Sequence, residues 1–289
     1  MKVAIVIDIF HDKGNGTSMS ARHLVENLVE RGVEVKVLCD NAGQKTETMQ
    51  GVEFVTFPIQ QVPIYQKVIE QQHAWLASPN DARIRETLKG VDLVHIYMPF
   101  ALGTHCARIA HDMGIPVLGC YHVSAENITF NAKMKYIPGA TGAMYQLLKV
   151  YHYKPEWINN IHCPSRCIAS TLMGHLYNQN LHVISNGYDP AFKPIEDVKI
   201  PDGCEDRIIV TSVGRLTEEK RQDLIIKAVA KSKYRNRITL FLAGKGPKQE
   251  EYEQLAKDLH VDLRIVFLIQ PELVNLLNAS YLFVQASDV

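Results

Sequence analysis

Short apolar runs recur along this chain, each closing on glycine or on a polar turn, and the stretches between them carry helical spacing. The first run is KVAIVID (2–8). It is followed by a segment in which Ala21, Leu24, Val25, Leu28 and Val29 fall at i, i+3, i+4, i+7 and i+8, the signature of a helix with one apolar face. Thr17 or Ser18 suits its N-cap, and Gly32 its end. VEVKVLC (33–39) then reads as a second strand. Strand, helix and strand within about 40 residues make a βαβ unit, which pairs its strands in parallel.

The alternation continues. VDLVHIYM (91–98) predicts a strand, ALGTHCARIAHDMG (101–114) a helix, and IPVLGCYH (115–122) another strand. NNIHCPS (159–165) and LHVISNG (181–187) predict short strands with a helix between them. A proline- and acid-rich stretch without clear period follows, and then a second series: RIIVTSVG, ITLFLAG, LRIVFL and YLFVQAS, again separated by helical segments. We therefore expect an α/β protein of two doubly wound domains: residues 1–185, a linker at 186–206, and residues 207–289. The last run ends at FVQASDV with no helix to cover it, so the second domain is expected to be incomplete and the chain a fragment of a longer one.

Charge narrows the partners. Lys+Arg and Asp+Glu both number 31, so no whole-molecule field favours nucleic acid, and affinity for an anion must be local. Of the six cysteines only Cys163 and Cys167 lie close together, and no second pair completes a zinc-site spacing. Reduced thiols and no metal are the expectation. The opening run meets Asp8 too early for an export signal, and no apolar stretch reaches the ~18 residues of a membrane span. A cytoplasmic protein is expected.

In doubly wound sheets ligands bind beyond the carboxyl ends of the strands. Four loops fall there. HDKGNGTS (11–18) offers Gly14 and Gly16 ahead of a helix N-terminus, which suits an anion; a tight turn accounts for the glycines equally well. It is neither a dinucleotide fingerprint nor a P-loop, lacking the third glycine of one and the Gly-Lys-Ser/Thr of the other. SVGRLTEEKRQDLIIKAVAK (212–231) places Arg215 and Lys220 where a strand hands over to a helix, against the helix dipole unless an anion is present. Glu218 and Glu219 provide the competing explanation, simple ion pairing. LAGKGP (242–247) closes a strand with Gly244 and Gly246, suiting a flat base or ribose, or again a turn. GCYHVSAENITFN carries His122, Glu126 and Asn127; a histidine there can bond a hydroxyl or move a proton near neutral pH, although one histidine among 12 is more often structural.

Together these elements resemble the retaining glycosyltransferases of family 4, with the two-domain GT-B architecture whose domains face a cleft. VGRLTEEKRQDLIIKAVA, VISNGYDPAFKP, LAGKGP and LFVQASDV carry the likeness, in order along the chain. The resemblance implies that Arg215 and Lys220 bind the diphosphate of a nucleotide-sugar donor, a UDP-sugar above others, and stabilise its departure without a metal. It implies that Gly14 and Gly16 face that diphosphate, that Asn186 and Gly187 belong to the donor side, that Gly244 and Gly246 lie near the nucleobase, and that His122 contacts the transferred sugar, with Glu126 and Asn127 beside it. The family's Glu-x-seven-Glu motif falls beyond residue 289, which leaves the activity of this chain open, and Ser185 stands where proline is common.

The acceptor side is read from residues 131–157. Met144, Leu147, Leu148 and Tyr151 share a helical face, with Lys133, Lys135, Lys149 and Lys154 and with Tyr136, Tyr145, Tyr153 and Trp157 around it. Such a face suits a membrane–water interface, and the region loosely resembles enzymes that glucosylate diacylglycerol; an ordinary packed helix explains it as well. The expected partners are thus a nucleotide-sugar donor, a lipid or carbohydrate acceptor and the inner face of the plasma membrane, with no nucleic acid. Two rival functions share the fold: a sugar-nucleotide epimerase or phosphorylase, and a non-catalytic nucleotide-sugar-binding fragment.

Overall fold

The computed structural model describes residues 1–12, 15–41, 48–61, 75–134 and 136–288. Two compact units divide the chain, Met1–Gly187 and Tyr188–Val289.

In the first unit the strands are β1 (Lys2–Val6), β2 (Glu34–Asp40), β3 (Val52–Phe57), β4 (Leu93–Ile96), β5 (Val117–Cys120), β6 (Asn160–Cys163) and β7 (Asn180–Val183). Their order is β3-β2-β1-β4-β5-β6-β7, with every pair parallel. The helices between them are α1 (Gly16–Glu30), α2 (Asp81–Thr87), α3 (Ala101–Asp112), α4 (Ala125–Asn131), α5 (Ala140–Tyr151) and α6 (Arg166–Gly174). Alternate residues of β1 feed opposite cores, as the strand period of two requires. Ala4 and Val6 join Leu102, Cys106 and Ile109 of α3, while Val3 and Ile5 join Ala21 and Val25 of α1. Both faces are thus covered, as a parallel sheet demands. The order reverses between β1 and β4, where such sheets open a crevice at their carboxyl edge.

α1 starts earlier than Thr17 or Ser18 would have it. Asn15 is the N-cap, its side chain accepting the Thr17 N–H at 2.9 Å, and the Ser18 hydroxyl instead donates to the buried Phe10 carbonyl at 2.6 Å. Gly32 does follow the helix, at φ +75°, in the left-handed conformation that glycine adopts without strain. The edge strand β3 and the short helices α2 and α4 were not anticipated.

The second unit has strands β8 (Ile208–Val213), β9 (Ile238–Ala243), β10 (Leu263–Val266) and β11 (Leu282–Phe283), in the parallel order β10-β9-β8-β11. α7 (Gln222–Lys231) and α8 (Gln249–Asp258) cover one face through Ile225, Ile226, Val229, Tyr252 and Ala256. α9 (Glu272–Ala279) contributes Leu276 to the other. The proline-rich stretch is bound to this unit by two asparagines of α9: Asn275 accepts from Lys199 N–H and donates to its carbonyl, and Asn278 accepts from Ile195 N–H. No described helix is long and apolar enough to cross a membrane.

Candidate functional site

In the second unit, β8 ends at Val213 and Gly214 turns at φ +153°, a conformation glycine tolerates and L side chains rarely adopt. Arg215 follows directly. Glu218–Lys220 form a single 3-10 turn, Arg221 adopts a left-handed conformation at φ +51°, and only then does α7 begin. Lys220 therefore closes a turn rather than opening the helix, as its sequence position suggested.

Arg215 Nη2 donates to Glu219 Oε1 at 3.1 Å. The two ends of this pair differ: the Arg215 side chain is 41% exposed and that of Glu219 only 3%. A buried carboxylate thus orients a guanidinium that keeps a large solvent-facing surface. Glu218, the other carboxylate suspected of neutralising the turn, is exposed. The Lys220 backbone N–H donates to the Thr217 carbonyl at 3.2 Å, while its side chain makes no hydrogen bond or ion pair among the described residues. The turn is anchored from below by Gln222 Nε2, which donates to the Arg215 carbonyl at 2.9 Å, and by the Tyr252 hydroxyl, which donates to the Thr217 carbonyl at 3.1 Å.

Gly244 and Gly246 have a reason of their own. A Cβ on Gly244 would lie 1.9 Å from the Gly214 carbonyl oxygen, and one on Gly246 would lie 2.3 Å from that of Leu216. Hydrogen bonds from Gly214 N–H to Ala243 and from Leu216 N–H to Lys245 knit the two loops together. The backbone that these glycines admit is that of the Arg215 turn itself, so they hold the turn in place at the β8–β9 edge.

In the first unit, Gly16 is the first residue of α1, and a Cβ there would meet nothing within 4 Å. Gly14 and Lys135 lie outside the described residues. Asn186 and Gly187 (φ +77°) are exposed after β7, the Gly187 N–H held by Ser185 Oγ at 3.1 Å.

His122 follows β5 at the same carboxyl edge. Its ring stacks on Tyr97 at 5.0 Å and 14°, and meets His162 edge-on at 5.8 Å. Burial, reinforced by His162, lowers its pKa to about 4, so the ring is neutral at pH 7. Its Nε2 is buried without a hydrogen-bond partner. Of the two roles the sequence left open, bonding a hydroxyl or moving a proton, this geometry suits the first: a neutral ring with an open nitrogen is a hydrogen-bonding group at pH 7. Glu126 is engaged elsewhere, both oxygens receiving the Tyr145 hydroxyl at 2.9 and 2.7 Å. Asn127 sits one residue on in α4, its backbone N–H capped by Ser124 Oγ at 3.2 Å.

The presumed interfacial face of α5 divides. Tyr145 and Leu148 are buried, as is Tyr153, whereas Leu147, Val150 and Tyr151 are exposed together with Tyr136 and Ile137. The buried set packs with Tyr121 and Tyr177, which the lysine–aromatic pattern did not reveal.

One cluster escaped the sequence reading. His95 of β4, Cys120 of β5 and His162 of β6 are buried side by side: His95 Nε2 lies 2.8 Å from Cys120 Sγ, and His162 Nδ1 lies 3.0 Å from it. All six cysteines are free, five of them buried. The available signal was a His or Cys within each of three adjacent strand segments, which cysteine spacing alone does not register.

Each unit is a parallel α/β layer with its reactive groups at the carboxyl edge, the building block of the GT-B glycosyltransferase fold. Consistent with that class, HepE from Anabaena, solved with UDP and glucose, aligns over 100% of this chain and 75% of its own with TM-score 0.71 and 16% identity. WaaG, a glycosyltransferase of lipopolysaccharide biosynthesis, aligns over 99% and 75% with TM-score 0.65 and 16% identity. Residues 14–192 match Glycosyltransferase Family 4 and residues 196–289 match Glycosyl transferases group 1, so the chain belongs to glycosyltransferase family 4. A GDP-mannose-dependent alpha-mannosyltransferase of Corynebacterium glutamicum is 25% identical over 272 residues, 89% of this chain and 60% of that protein. The alpha-monoglucosyldiacylglycerol synthase of Streptococcus pneumoniae is 22% identical over 99% of this chain and 66% of its own length. The chain thus spans less than two thirds of either relative.

Proposed function

We propose that the protein transfers a sugar, with retention of configuration, from a nucleoside-diphosphate donor to an acceptor hydroxyl. The observation that carries this reading is the Arg215 turn: a guanidinium 41% exposed, oriented by a buried carboxylate, at the carboxyl end of β8. With Lys220 it would neutralise the departing diphosphate, so the residues present supply the charge that a metal supplies elsewhere. His122, neutral and with an unpartnered buried Nε2, would bond a hydroxyl of the transferred sugar. Gly16 would let the donor approach the start of α1, and Asn186 with Gly187 would complete the donor side. Gly244 and Gly246 would act by fixing the turn.

We take a UDP-sugar as the donor, supported by the UDP in the HepE structure, while the mannosyltransferase makes a GDP-sugar the rival. The acceptor would be a membrane lipid, reached from the cytoplasmic side. The exposed Tyr136, Ile137, Leu147, Val150 and Tyr151, together with Lys133, Lys149 and Lys154, support this, as does the diacylglycerol named for the streptococcal relative.

The test is direct. UDP and GDP titrated into the protein report donor binding, and a panel of nucleotide sugars reports diphosphate release. Binding of neither nucleotide would refute the donor site. Transfer to sugars alone, with no flotation on anionic vesicles, would keep the transferase and reject the lipid. Release that requires inorganic phosphate would make it a phosphorylase.

A further inference from the structure

We propose that His95, Cys120 and His162 form a buried zinc-binding site in the first unit. Sheet geometry brings the three donors together. Cys120 and His162 are register partners on β5 and β6, and His95 pairs with Leu118, which stands two residues before Cys120 and so on the same face. The donor atoms of all three lie within 4.8 Å of one another. Zinc held at its usual bond lengths needs N–S separations of roughly 3.6 Å, so the 2.8 and 3.0 Å contacts open by less than about 1 Å to admit the ion.

The tautomer of His162 is fixed by its surroundings. Its Nε2 lies 2.6 Å from the Ile184 carbonyl, which can only accept, so Nε2 carries the proton and Nδ1 turns its lone pair to the thiol. A backbone carbonyl orienting a ring in this way is the usual outer support of a metal-binding histidine. The Cys120 backbone is fixed too, since the Tyr153 hydroxyl donates to its carbonyl at 2.7 Å. Two imidazoles and a sulfur are donors for zinc; the absence of any carboxylate among the three argues against magnesium or calcium. Three protein ligands leave one tetrahedral position for water.

Binding balances simply. The Cys120 S–H bond breaks and an S–Zn bond forms, the proton leaving to solvent. His95 carries its N–H on Nδ1 and offers Nε2. One proton is released per ion bound. Without the ion the thiol hydrogen bridges to His162 and His95 donates to sulfur, a self-contained relay that is the competing account.

The experiment uses the full chain, stripped with chelator and kept reduced, titrated with Co2+ and then Zn2+. We expect one equivalent of cobalt with a near-ultraviolet sulfur-to-cobalt charge-transfer band, displaced by zinc, and a melting temperature about 5 °C higher with zinc. Cys120→Ser should abolish the band, whereas Cys167→Ser, at the exposed cysteine, should keep it. Absence of a stoichiometric band in the unaltered chain overturns the proposal, whatever the variants do. A band lost in Cys167→Ser, or kept in Cys120→Ser, overturns it equally.

Discussion

The two units place polar chemistry at the same edge of the same kind of sheet and treat it in opposite ways. At the end of β8 the groups are charged and wet: Arg215 is 41% exposed, and the Glu219 carboxylate that pairs with it is buried. At the ends of β4 to β6 the groups are neutral and dry: burial lowers the pKa of His95 to about 3 and pushes the Cys120 thiol well up. A charge that keeps part of its hydration can be presented to a dianion at small cost. A buried charge cannot, so the inner site is limited to neutral donors and acceptors until a ligand arrives. The fold supplies the address; solvent exposure decides the chemistry.

The comparison breaks most easily at Arg215. Arg215→Ala should lower donor turnover by about 10²–10³-fold, the usual consequence of losing one donor that faces developing negative charge. Arg215→Lys should recover little, because an ammonium cannot reproduce the guanidinium fork that both meets Glu219 and faces outward. Steady-state diphosphate release measures both. Turnover unchanged in Arg215→Ala removes the charged half of the contrast.

Gly244 comes next. Gly244→Ala puts a methyl 1.9 Å from a carbonyl oxygen that is backbone, so the Arg215 turn must move. A loss of about 2–4 kcal/mol is expected in denaturant unfolding, with weaker nucleotide binding alongside. Retained stability with lost binding would instead assign the glycine to the ligand.

How much of this was legible follows from distance along the chain. The buried strands were legible because both faces of a parallel sheet are covered, which makes runs such as KVAIVID continuous. The edge strand β3 was not, because Glu53 and Thr56 interrupt its apolar positions. The Arg215 turn was legible because glycine, cation and helix fall within a few residues. His95, Cys120 and His162 were not, since only the strand register makes them neighbours. The purpose of Gly244 and Gly246 was hidden for the same reason: their contact is a loop some 30 residues away in sequence.

Asp8 tests the dry side of the comparison. It lies just beyond β1, with Oδ1 accepting the Ala77 N–H at 2.9 Å and Oδ2 buried without a partner. Burial, with Asp40 adding to it, raises its pKa from 3.8 to about 7. A carboxyl that holds its proton more tightly when folded stabilises the fold fully below its unfolded pKa, and that contribution is lost as pH rises through about 7. The unaltered chain should therefore lose on the order of 4 kcal/mol between pH 4 and pH 8 from this group. Asp8→Asn should flatten that slope, which urea unfolding at several pH values would reveal. An equal slope in the variant would place the titration elsewhere.

The smallest effect expected is at Tyr145, and it separates support from chemistry within the first unit. Its hydroxyl donates to both oxygens of Glu126, and its ring stacks on His175 at 3.8 Å and 11°. Tyr145→Phe keeps the ring and removes only the hydrogen bond, so a loss of about 1 kcal/mol is expected, somewhat more if the carboxylate finds no water in exchange. If Glu126 serves only to anchor α4 on α5, the variant should turn over donor at the original rate with slightly lower stability. If Glu126 instead contacts the sugar or acceptor, freeing it should alter KM while stability barely moves. Unfolding and kinetics measured on the same preparation give the two readings different signatures, because a packing contact and a substrate contact cannot both be lost through one hydroxyl without both quantities changing.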